Sequence, residues 1–80
     1  MTFELFSKVA LAVDVPLNRV RKGDVATIVE THPGRPGELE PGYSLEIFNA
    51  VGWTLAVVIV RESEIQPLRK DEILHVRQLE

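Results

Sequence analysis

From residue 7 to residue 68 the apolar side chains recur at every second position or in short unbroken runs, and seldom at the three-and-four spacing of a helix. A two-residue period is the footprint of strands, because successive strand side chains point to opposite faces. The first predicted strand covers residues 7–14, where Val9, Leu11 and Val13 alternate with Lys8, Ala10 and Ala12 and the small alanines fit beneath a second layer. Asp14 and Pro16 end it, and a loop follows with Val20 or Leu17 tucked inward. Lys22-Gly23-Asp24 closes that loop as a tight turn, with glycine supplying the positive φ. The β-branched segment 25–31 is the second strand, antiparallel to a neighbour.

Residues 32–42 hold three prolines and three glycines, so neither a helix nor a ladder can run through them. The third strand, 43–49, places Tyr43, Leu45 and Ile47 on the buried face and Ser44, Glu46 and Phe48 on the other. A hairpin connection over 49–52 leads to the fourth strand, 53–60, which is almost wholly apolar after Thr54. Such a run is expected of a central strand covered on both sides, or of one contacting another subunit. A short fifth strand over 65–68 contains Pro67, which confines it to an edge or a bulge. In the segment 69–80 the pattern suggests a helical turn at 71–74 and then an extended tail.

Eighty residues make one domain, and five short strands suggest a small closed or half-open barrel, because closure removes exposed edges. The expectation is therefore an all-β fold, a five-stranded barrel over about 7–68 with a C-terminal extension over 69–80. With 45% hydrophobic and 26% charged residues the chain lies in the ordinary globular range. It contains no cysteine, which rules out disulfides and thiolate sites and suits a reducing cytoplasm. Its first fifteen residues carry Glu4 and Lys8 within the apolar stretch, unlike a signal peptide or a membrane span. The net charge of -3 argues against nucleic-acid and anionic-membrane partners.

The set Lys22-Gly23-Asp24-Val25, Thr27-Ile28-Val29-Glu30, a Pro-Gly loop, Gly42-Tyr43-Ser44-Leu45-Glu46-Ile47-Phe48, then Gly52 and Thr54, resembles the small bacterial proteins of domain-of-unknown-function family 4926. The resemblance covers about residues 5–68, and the ending from Asp71-Glu72 to Leu79 is similar to many members. It implies an SH3-like barrel and a bacterial setting, and it carries no assigned activity. Ala26 stands where members often have glycine, so no role for bare backbone transfers to that position.

No nucleophile with its base, carboxylate pair, metal cluster or phosphate loop is visible, so the chain reads as non-catalytic and without a cofactor. His32 and His75 are far apart in sequence, and a metal site between them would need tertiary coincidence plus carboxylates. Glu38 with Glu40, and Glu62 with Glu64, offer too few oxygens for a hard cation and read as solvated faces. The leading reading is a protein-interaction module, acting with a genetically linked partner or as a homo-oligomer, whose contact residues are Trp53, Phe48, Arg35 and His32. Trp53, just past a hairpin turn, either plugs a barrel end or anchors a partner, and core packing is the more economical placement. The alternative is a nucleic-acid barrel of the ribosome-associated type, using Arg19, Arg21 and Lys22 beside the Lys22-Gly23-Asp24 turn.

Overall fold

The structure, a computed structural model, describes residues 2–79. The period-two segments form five strands: β1 (Lys8–Leu11), β2 (Val25–His32), β3 (Gly42–Phe48), β4 (Thr54–Arg61) and β5 (Ile65–Pro67). All pairings are antiparallel, in the order β4-β3-β2-β1-β5. Two 3-10 turns, Pro16–Asn18 and Glu62–Glu64, complete the regular elements among the described residues. The fold is thus all-β.

The sheet is not closed, because β4 and β5 are its two edges and no ladder joins them. It is nevertheless strongly curled. A single turn, Glu62–Glu64, links these outermost strands, so the two edges must approach each other at that corner. Register shifts between Ile28 and Glu30 in β2, and between Ile47 and Phe48 in β3, mark places where the ladder bends. Three carboxylates pin the corner. Glu62 accepts from the Tyr43 hydroxyl (2.7 Å) and the Thr2 amide (2.9 Å), and Glu64 accepts from the Arg61 amide (2.8 Å). Glu40 reaches across from the long loop to take the Ser63 amide (2.7 Å), while Asp24 fixes the loop before β2 by accepting from the Arg21 amide (2.8 Å).

Inside the curl lies the core of Val9, Leu11, Val20, Ala26, Ile28, Tyr43, Leu45, Ile47, Val58, Val60 and Ile65. The alternation expected of β3 holds, with Tyr43, Leu45 and Ile47 buried. Phe3 packs edge-on against Tyr43 with ring centroids 5.7 Å apart. Of the two loop candidates, Val20 turns inward and Leu17 is 94% exposed.

Three expectations change. β1 stops at Leu11 instead of 14, because the Leu11 carbonyl accepts from the Gly23 amide and the Asp14 side chain from the Lys22 amide, turning the chain away from the ladder. Gly23 makes that turn possible with φ +94°. β4 is an edge strand instead of a central one, since the chain leaves it for the opposite edge and, among the described residues, no further strand pairs with it. The stretch expected as a helical turn at 71–74 is replaced by a turn at 70–71, where the Glu72 amide donates to the Arg69 carbonyl (3.1 Å) and the Arg69 amide to the Glu72 carboxylate (2.6 Å), and residues 72–79 carry no regular secondary structure.

These face assignments predict a contrast between two aliphatic positions. Leu45→Ala, fully buried, should cost about 2–5 kcal/mol in chemical denaturation, whereas Ile59→Ala, on the exposed side of β4, should stay within about 0.5 kcal/mol. Equal losses at the two positions would contradict the assignment.

Candidate functional site

The outer side of β4 carries a row of exposed apolar side chains. In a strand the side chains alternate, so burial of Val58 and Val60 forces Leu55, Val57 and Ile59 to the other face. There Val57 is 55% and Ile59 74% exposed. Trp53 precedes the strand and is 74% exposed, so its expected place in the core is not taken. The hairpin turn explains this: Asn49 receives the Trp53 and Val51 amides on its Oδ1 (2.9 and 3.1 Å), which fixes the backbone and leaves the indole outside. Phe48, 41% exposed, lies on the opposite face of β3 from its buried neighbours.

The four residues expected to meet a partner do not form one cluster. Phe48 and Trp53 flank the β3–β4 turn, whereas His32 pairs with Gly42, and Gly42 with Arg61, at the far end of the same strands. The β4 segment between Thr54 and Arg61 spans roughly 23 Å at about 3.3 Å per residue. Arg35 sits farther out, in the loop, with its guanidinium 3.8 Å from Glu38. His32 Nε2 and Ser44 Oγ are hydrogen-bonded at 2.7 Å, which holds the ring over the outer side of β3. Leu55, Val57 and Ile59 bridge the two ends, and sequence reading did not single them out, because an unbroken apolar run does not reveal which face lacks a cover.

Arg19, Arg21 and Lys22 do share one loop, but that loop also holds Asp14 and Asp24. The Lys22 amide donates to Asp14 (2.8 Å) and the Arg21 amide to Asp24. Asp24 also receives Arg77 from the tail, at 2.8 Å from Nε to Oδ1, and Arg77 Nη2 donates to the Arg19 carbonyl (2.9 Å). The Arg77 hydrogen bond holds the Asp24 carboxyl below the usual aspartate range, against the opposing effect of its partial burial. Tyr43 is shifted the other way, its phenol raised first by burial and then by the Glu62 carboxylate it donates to.

Through the Arg77 clasp the tail is held over the side of the sheet that carries Ala10 and Val25. The cleft between them has a volume of about 730 Å3, lined by Ala10, Val25, Leu55 and Leu68 from the body and by Leu74 and Val76 from the tail. Of the two alanines expected beneath a second layer, Ala10 lies under the tail, whereas Ala12 falls beyond the end of β1 and is half-buried. His75 lines the same cleft, far along the chain from His32. Among the described residues no three of the His, Asp and Glu side chains gather as metal ligands would. No described helix is long and apolar enough to cross a membrane.

The model of a family described as a domain of unknown function, DUF4926, matches residues 5–67. The chain belongs to the DUF4926 family. Neither the curated proteins nor the solved structures provide a match. The DUF4926 match runs from just before β1 to the end of β5, so it spans every strand and stops short of the tail.

The clasp gives a prediction with a definite sign. A carboxyl with a lowered native pKa stabilises the native arrangement above its unfolded value near 3.9, and that contribution is lost as the pH falls through the lowered value. At neutral pH, Arg77→Ala should speed tryptic cleavage after Arg69 and Lys70 and raise the fast-timescale mobility of residues 74–79 in NMR relaxation. Acidification through that lowered native value, below the unfolded value of about 3.9, should reproduce that mobility in the wild-type chain. A tail equally rigid in both would show that Arg77 does not hold it.

Proposed function

We propose that this DUF4926 chain is a non-catalytic protein-interaction module that docks a partner protein along β4. The observation that supports this reading is an edge strand whose outer face is apolar from Leu55 to Ile59 and which adjoins the exposed Trp53 and Phe48. Single exposed apolar residues are ordinary, but a contiguous row beside an open backbone edge is the arrangement used for strand addition. In that mode the backbone edge supplies affinity and the side chains on the face supply selectivity. The Trp53 indole, with a large apolar area and one N–H donor, suits an anchor at the end of such a row.

The carboxylates support a non-catalytic role, since Glu40, Glu62, Glu64, Asp14 and Asp24 each accept hydrogen bonds that hold a turn or a corner. The nucleic-acid alternative draws less support, because Asp14 and Asp24 lie among Arg19, Arg21 and Lys22 and weaken the local positive field that phosphates reward. A bacterial cytoplasmic setting belongs to the same proposal, carried by the family resemblance and the cysteine-free composition.

Affinity purification from native cells tests the reading. The wild-type chain should retain a protein in stoichiometric amount, and Trp53→Ala and Ile59→Lys, with unchanged circular dichroism, should each reduce its recovery at least tenfold. Recovery unaffected by either substitution would overturn the assignment of β4 as the docking edge.

A further inference from the structure

The open groups on the β4 edge can be identified one by one. The Glu62 amide donates to the Pro41 carbonyl (3.0 Å), and the register continues with Gly42 opposite Arg61 and Tyr43 opposite Val60. Hydrogen-bonded pairs alternate along an antiparallel ladder, so Val60, Val58 and Ala56 turn their backbone groups toward β3. Val57 and Ile59 turn theirs to the open side. At one end the Arg61 amide is already taken by Glu64, and at the other the register shift opposite Ile47 and Phe48 breaks the alternation. What remains exposed as a regular edge is the N–H and C=O of Val57 and Ile59.

We infer that the protein docked on this edge is a second copy of the same chain, joined antiparallel about a two-fold axis at Val58. This deepens the reading of β4 as a docking strand and depends on it. In that register Val57 faces Ile59 of the second copy and Ile59 faces its Val57, and both are hydrogen-bonded pairs that exchange two bonds each. All the open groups of both copies are then satisfied. Shifting the register by two residues in either direction brings in the capped Arg61 amide or the irregular stretch at Leu55.

Side-chain chemistry agrees with the backbone. Residues 55–60 read Leu-Ala-Val-Val-Ile-Val, so no charge meets its own copy near the axis. Natural edges are ordinarily guarded by lysine, proline or a very short strand. The opposite edge is guarded in this way, since β5 has three residues and contains Pro67, whereas residues 55–60 of β4 hold no such residue. The contact is isologous and closes on itself, which limits assembly to two chains. It also places Leu55 opposite Arg61 of the second copy. The Trp53 end of β4 in one chain then lies alongside the Arg61 end of β4 in the other.

Charge pairing across the axis tests the register directly. Light scattering behind a sizing column should give twice the chain mass for the wild type and the single-chain mass for Val57→Lys and for Ile59→Glu alone. The combined Val57→Lys, Ile59→Glu variant should return to twice the chain mass at low salt, because each introduced ammonium then faces an introduced carboxylate. Both sites are exposed, and circular dichroism verifies that each variant stays folded. A wild-type chain that stays single at millimolar concentration, or single variants that remain paired, would overturn the inference. A single chain that still retains a different protein through Ile59 would overturn the second copy and leave the docking strand standing; loss of both would remove the two together.

Discussion

β3 is hydrogen-bonded on both sides, to β2 and to β4, while only one of its faces is buried with large side chains, and the other elements take their places from that asymmetry. Its bonded residues alternate between neighbours, Ser44 and Glu46 serving β2 and Tyr43, Leu45 and Ile47 serving β4. The residues that fill the interior are therefore the same ones that hold the edge strand in register. Disturbing Leu45 would loosen both the packing and the attachment of β4, which carries the surface of functional interest. Core and site are coupled through three residues of one strand.

The polar framework works by short-range substitution for absent ladder partners. A sheet this small ends its strands in turns whose amides have no strand opposite them, and a buried amide without a partner costs about 1–3 kcal/mol. Carboxylates fill that need: Asp14 and Asp24 in the loop before β2, and Glu40, Glu62 and Glu64 at the corner between β4 and β5. The chain's acidity is in this sense structural. Glu62 shows the point most fully, since the Thr2 amide and the Tyr43 hydroxyl together hold its carboxyl below the usual range.

Much of the fold was legible because its signals were local. The β3 alternation named Tyr43, Leu45 and Ile47, the Pro-Gly run marked the long loop, and Pro67 marked an edge. What could not be read depended on neighbours distant in sequence. The apolar run from Leu55 to Val60 has the composition of a strand covered twice, yet the path through Glu62–Glu64 to the far edge leaves one side bare. Core packing was the more economical of the two placements read for Trp53, and the Asn49 turn, whose geometry depends on side-chain hydrogen bonds, holds it outside. Arg77 drew no notice in the sequence because its partner, Asp24, is more than fifty positions away.

The tail contributes no described ladder bond and no side chain to the interior, and the Arg77 guanidinium clasps it to Asp24 and the Arg19 carbonyl. Its residues are therefore released from the packing constraints that govern the strands. A substitution at Ile73, Leu74 or Val76 would therefore alter what overlies Ala10 and Val25 without retuning the interior.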